Sequence, residues 1–128
     1  MAEILQYDPP RRWAAAARVG DLLYLAGETG TDPVTMQTVP GGVEAQTEQI
    51  IVNIRTTLAR AGADLGDVFK LTVFLTDIAD LPAVSAVRSR HFTTPLPSSA
   101  VQVVALAAPD LLVEIEAIAK VSFRSHAG

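Results

Sequence analysis

The chain contains no cysteine, which excludes disulfides, thiolate nucleophiles and thiolate metal sites outright. Long apolar runs are missing as well: nothing approaches membrane-spanning length, and Met1-Ala2-Glu3 lacks the basic-then-apolar build of a signal peptide. The expected location is therefore the cytoplasm, with no membrane partner. Positive charge is not in excess. With 14 acidic against 10 basic residues the net charge is −4, which argues against a nucleic-acid backbone as partner. Aromatic residues make up only 5% of the chain while alanine and valine abound, so the core should be built of small interlocking side chains. The same composition leaves apolar surface that a subunit interface would cover.

What is present describes one compact domain over residues 1–128. A hydrophobic content of 49% with 19% charged residues is far from a disordered profile, and no linker, repeat or low-complexity block interrupts it. After an irregular start containing Asp8-Pro9-Pro10, Ala15 to Arg18 and Leu22 to Ala26 read as a hairpin turning at Gly20-Asp21. A loop with Gly30, Pro33, Pro40, Gly41 and Gly42 follows. Glu44 to Ala61 is an amphipathic helix, with Thr47, Ile51, Ile54, Leu58 and Ala61 on one stripe and Gly62 placed to end it. Val68 to Thr76 is a strand whose face of Phe69, Leu71, Val73 and Leu75 should be buried. Asp80 stands as an N-cap, Pro82 fits a first helical turn, and Leu81, Val84, Val87 and Phe92 predict a second helix over about 81–92. Two strands close the chain. The order reads as an α+β layer of two helices against one mixed sheet.

The stretch from Pro95 to Ala119 carries the chemistry. Val113 to Phe123 alternates, with Val113, Ile115, Ala117, Ala119, Val121 and Phe123 on one face and Glu114, Glu116, Ile118, Lys120 and Ser122 on the other. Ser99, Val101, Val103 and Ala105 share that period, and Ala107-Ala108-Pro109-Asp110 is turn chemistry, so the two segments could pair as antiparallel neighbours. A cleft at their ends would then see Ser98, Gln102 and Glu114. A carboxylate between Val113 and Ile115 would be partly desolvated, which raises its pKa and suits it to moving protons near neutral pH. The plainer alternative is that both glutamates point to water from an edge strand.

Other candidate groups offer less. His91 and His126 have no supporting ligand pattern, so no metal is expected. Ser98 and Ser99 lack a glycine elbow and a partnered histidine, which speaks against nucleophilic hydrolysis. Neither Gly41-Gly42 nor Gly27-Glu28-Thr29-Gly30 is a phosphate-cradling motif. Arg11 and Arg12 beside Trp13 could clamp an acid or simply be a solvated basic pair.

The segment Leu96-Pro97-Ser98-Ser99-Ala100-Val101-Gln102-Val103, followed after a loop by Val113-Glu114-Ile115-Glu116-Ala117, resembles the C-terminal signature of the reactive intermediate deaminase family. These are the Rid, YjgF-like or L-PSP-like proteins, whose pattern is approximately Pro-Ala-Arg-Ser-x-Val-x-Val, a short loop, then Ile-Glu-Ile-Glu-Ala. Upstream, Asp67 to Asp77 resembles the family's central strand, Leu25-Ala26-Gly27-Glu28 its first glycine loop, and Gln46, Asn53, Leu58 and Ala61-Gly62 its first helix. The resemblance implies a chorismate-mutase-like fold with a mainly antiparallel mixed sheet, assembled as a homotrimer with small-molecule sites in the clefts between subunits. It implies hydrolysis of reactive enamines and imines to a 2-oxo acid and ammonia, without cofactor or metal. By position, the family's water-handling acid falls on Glu114. Its aromatic falls on Trp13, its small residue and glycine on Ala26 and Gly27, and its helix-borne asparagine and tyrosine on Ser85 and Arg88. The carboxylate-gripping arginine falls on Ser98 and is missing; Ala100, two residues on, belongs to the same substrate-binding set.

That serine divides the readings. A serine offers one hydroxyl where a guanidinium would make a bidentate, charge-assisted contact. Arg88 or Arg11 could supply the charge from elsewhere in the cleft. Otherwise Trp13 with the small residues Ala26, Ser85 and Ser98 would suit a bulkier, less charged molecule. Three functions follow: a Rid-like hydrolase using Glu114; a noncatalytic trimeric ligand-binding or pathway accessory protein; and an RNA-directed activity, which the acidic composition makes the weakest.

Overall fold

The computed structural model describes residues 2–121. Seven strands form one sheet in the order β1-β2-β3-β7-β5-β6, with β4 pairing β7 beyond β3. The strands are β1 (Glu3–Leu5), β2 (Ala16–Val19), β3 (Leu22–Leu25), β4 (Glu28–Thr29), β5 (Val68–Leu75), β6 (Ser98–Gln102) and β7 (Val113–Lys120). The helices are α1 (Gly42–Arg60) and α2 (Leu81–His91). All strand pairs are antiparallel except β5 with β6. The α+β architecture with a mixed sheet and two helices is thus as expected.

Both helices lie on one face of the sheet. The stripe of α1 places Ile50, Ile54 and Leu58 in the core, joined by Val84 of α2 and by Leu23, Leu71, Val73, Leu75, Val113, Ile115 and Ala117 from the strands. Each such aliphatic side chain contributes about 1.5–3 kcal/mol on full burial, which is why α1 needs no strong end cap. No side chain caps its N-terminus. At its other end Gly62, at φ +77°, turns the chain back so that the Ala63 N–H reaches the Leu58 carbonyl at 2.8 Å, a closure that favours glycine.

Three expectations are corrected. The segments 98–102 and 113–120 are not neighbours, because β5 lies between them: β6 runs parallel to β5 after the α2 crossover, and β7 pairs β5 on its other side. A parallel return through a helix is the ordinary way to place a strand beside its predecessor. The loop 103–112 then arches over the end of β5, pinned by Val103 N–H to the Leu75 carbonyl at 2.8 Å and Thr76 N–H to the Leu112 carbonyl at 3.1 Å. In β5, a register shift between Val68 and Lys70 turns Val68 inward, so that Phe69 is 40% exposed rather than buried. Finally, Asp80 makes no capping bond; Asp77 instead accepts from the Ala79 N–H at 2.9 Å and caps the short turn leading into α2. The readings for Ser122, Phe123 and His126 lie outside the described residues.

Candidate active site

The site begins where β3 gives way to β4. Tyr24 pairs with Ile118, but Glu28 pairs with Ile115, so the β3–β4 side carries one more residue than β7. Strict alternation from Leu25 would send residue 28 outward; the extra residue turns Glu28 inward, where it is 5% exposed. The Tyr7 hydroxyl donates a hydrogen bond to Glu28 Oε2. Burial, and then the nearby Glu114 charge, raise the Glu28 pKa against the opposing pull of Tyr7 and Arg11. Tyr7 is itself pushed up by burial and by Glu28.

Glu114 sits beside this gap. Its pairing with Phe74 puts it on the sheet face opposite the helices, and its carboxylate lies against the Cα of Gly27, where any Cβ would collide with Glu114 Oε2. Glycine there lets the carboxylate come this close; the backbone conformation does not itself demand it. Desolvation, with the Glu116 charge second, raises the Glu114 pKa. The expectation that this carboxyl is partly desolvated and raised thus agrees with the geometry.

Helix α1 holds the surrounding loops. Gln46, 3% exposed, accepts from the Leu112 N–H and donates to the Asp110 carbonyl, both at 2.9 Å, which fixes the loop entering β7. Asn53 Nδ2 donates to the Thr31 carbonyl at 2.9 Å and the Thr29 carbonyl at 3.3 Å. The result is an open cleft of about 370 Å³ lined by Trp13, Ala26, Gly27 and Glu114 together with Tyr7, Arg11, Glu28, Thr29, Thr31, Met36, Ala107 and Leu111. Trp13 is 56% exposed at its rim.

The remaining residues expected at the site are elsewhere on the chain. Ser85 and Arg88 line a second hollow of about 410 Å³ with Ser89, Phe92, Thr93, Thr94 and Pro95. Arg88 donates to Ser98 Oγ at 3.0 Å. Ser98 and Ala100 pair with the inward residues Leu71 and Val73, so they belong to the helix side of the sheet edge, whereas Glu114 faces the other side. Gln102 is also not at the cleft: its Oε1 accepts from the Ile78 N–H at 2.8 Å. The chain therefore carries two groups, Trp13, Ala26, Gly27 and Glu114 in one, Ser85, Arg88, Ser98 and Ala100 in the other.

Tyr7, Glu28, Met36 and Leu111 were not singled out from the sequence as site residues. Glu28 is legible only as a polar residue next to a glycine, and its inward turn depends on the register slip against β7. Among the described residues no group of three His, Asp or Glu side chains could hold a metal ion, and His91 instead contacts Glu48 Oε2 at 2.8 Å. No helix among the described residues is long and apolar enough to cross a membrane.

Comparison with known proteins bears on most of the chain. The chain is 40% identical to a 2-iminobutanoate/2-iminopropanoate deaminase of Capra hircus over 107 residues, covering 84% of this chain and 78% of that protein. It is 37% identical to a RutC family protein of Pyrococcus abyssi over 107 residues, covering 84% of each. The crystal structure of RidA from Psychrobacter sp. PAMC 21119 superposes with a TM-score of 0.85 at 35% identity, covering 93% of this chain and 99% of that one. Residues 4–121 match the family described as Endoribonuclease L-PSP, and the chain belongs to this family, the Rid or YjgF-like proteins.

Proposed function

We propose that the chain is an imine deaminase that hydrolyses 2-imino acids to 2-oxo acids and ammonia, with Glu114 handling the water. The observation that carries this reading is the Glu114 carboxyl itself, set against Gly27 in an open cleft with its proton affinity raised by burial and by Glu116. Such a group can take a proton from water as the water oxygen bonds to the imine carbon. It can then return that proton to nitrogen and pass the hydroxyl proton of the resulting carbinolamine to the same nitrogen as the C–N bond breaks, so that C=NH and water become C=O and ammonia with no change of oxidation state. The curated relatives named as 2-iminobutanoate/2-iminopropanoate deaminases support the same reaction class.

The working site is proposed to form between copies of this chain, as a homotrimer. Two features support that. The sheet face opposite the helices exposes Ile4, Val19, Tyr24 and Val101, apolar area without cover in one protomer. In addition, the two groups of expected site residues are separated by the sheet, so a neighbour would have to bring the Ser85, Arg88, Ser98 and Ala100 group to the Glu114 cleft.

A noncatalytic ligand-binding role is the second reading, favoured by Ser98, which gives a hydroxyl engaged with Arg88 where the family motif has an arginine. RNA is not the proposed substrate despite the family's description, since the net charge of −4 opposes a phosphate backbone. The test is to generate 2-iminobutanoate in situ and follow 2-oxobutanoate release by the native protein, then by Glu114→Gln and Arg88→Ala chains alone and mixed after unfolding and refolding together. Activity in the native protein, with partial recovery in the mixture, supports a shared site. An inert native protein refutes the enzymatic reading, and activity without recovery on mixing refutes the shared cleft.

A further inference from the structure

Arg11 is the only cation among the described residues lining the Glu114 cleft, which also holds two carboxyl groups, Glu28 and Glu114. Its guanidinium carbon lies 3.9 Å from the centroid of the Tyr7 ring. That ring is in turn fixed, because the phenol donates to buried Glu28. The stack orients the guanidinium at little further entropy cost while leaving its N–H edge unused. Arg11 makes no hydrogen bond and no ion pair within 4.0 Å among the described residues, although its charge pulls the Glu28 pKa down. Arg88, which a neighbouring copy would bring to the same cleft in the homotrimer proposed above, is already engaged, giving an N–H to Ser98 Oγ at 3.0 Å.

We propose that Arg11 is the carboxylate-binding residue of the cleft, the side chain that selects 2-imino acids over neutral imines. This rests on the deaminase reading above and deepens it. An anionic substrate entering a cleft with two carboxyl groups is repelled unless a cation faces it, and Arg11 is a pre-oriented one with donors to spare. If Arg11 served only as counter-charge to Glu28, its removal would shift stability and leave ligand choice unchanged.

The experiment measures equilibrium binding by calorimetry or ligand-observed NMR, so it does not depend on turnover. The probes are 2-oxobutanoate and its neutral amide, 2-oxobutanamide, with native protein, Arg11→Met, Arg11→Lys and, as a control outside the cleft, Arg12→Ala. Arg11→Met keeps the apolar stem on Tyr7 and so guards against a folding artefact, checked by thermal melting. Loss of a charge-assisted contact should weaken 2-oxobutanoate binding by about 10- to 100-fold in Arg11→Met, less in Arg11→Lys, and not in Arg12→Ala. Binding of the amide should be unchanged. The proposal is overturned by native protein that does not bind 2-oxobutanoate at millimolar concentration, by Arg11→Met that binds it like native, or by equal loss for both probes. Native protein that binds 2-oxobutanoate through Arg11 yet fails to hydrolyse 2-iminobutanoate refutes the deaminase function and leaves Arg11 as the anchor of an acid-binding protein.

Discussion

Gly27→Ala separates the needs of the fold from those of the site. The added Cβ would overlap Glu114 Oε2, and its other near neighbours are Glu114 Cδ at 3.0 Å and Cγ at 3.2 Å. Everything in its way is the end of one flexible side chain. Gly27 has no left-handed φ, so the backbone accepts alanine. Restoring contact to the usual 3.5–4.0 Å range requires the carboxylate to move by on the order of 1 Å. The cost in stability should stay within about 1 kcal/mol, partly offset by the lower chain entropy of the unfolded alanine variant. A displacement of that size at a reacting group costs about 100-fold in rate. Thermal melting and kcat/KM for 2-imino acid hydrolysis, measured on one preparation, should therefore show a native-like Tm with activity reduced about 100-fold. Native activity in Gly27→Ala would refute the role of this contact, and a collapse in Tm would show that the Gly27 neighbourhood is not as soft as the structure indicates.

Other outcomes follow from single contacts. Gln46→Leu removes both bonds to the loop entering β7 and should cost about 2 kcal/mol, a fall in Tm of roughly 8 °C by calorimetry. A carboxyl whose folded pKa is raised binds its proton more tightly in the folded state, so the penalty for ionising Glu28 is absent below its ordinary value of 4.5 and grows as pH rises through the folded pKa. Glu28→Gln should accordingly melt higher than native protein at pH 7, the gap closing as pH falls toward 4.5; a gap that widens on acidification contradicts the burial argument. Ser98→Arg sets a second guanidinium beside Arg88, which now donates to the serine, and so tests whether the present serine limits activity. If Arg11 already anchors the substrate, the change should alter kcat/KM for 2-iminobutanoate by less than about tenfold.

The elements with strong periodicity were legible in the sequence. The stripe of α1 and the inward face of β7 from Val113 to Val121 are observed as read, because one face of each is buried against many partners and the period leaves little choice. Pairing was less legible. Ser98–Gln102 and Val113–Lys120 look like hairpin partners locally, and only the α2 crossover, a long-range feature, inserts the parallel edge and puts β5 between them. Slips of one residue were not legible at all. The bulge at Phe69 and the extra residue before Glu28 each reverse the side to which a residue points, and alternation carries no mark of where it is broken. For the same reason the cleft's Tyr7, Glu28 and Arg11 arrangement emerged only from the structure, while Glu114 and Gly27 could be named beforehand from the motif.

The central claim is that Glu114 moves the proton in imine hydrolysis, and the most direct measurement is the single-turnover rate of 2-oxopropanoate formation from 2-iminopropanoate by native protein and Glu114→Gln, with binding of 2-oxobutanoate confirmed in both. Removing a positioned acid–base group should lower the rate by about 10²- to 10⁴-fold while the amide variant still binds the acid. A Glu114→Gln protein that hydrolyses the imine at the native rate would contradict the account.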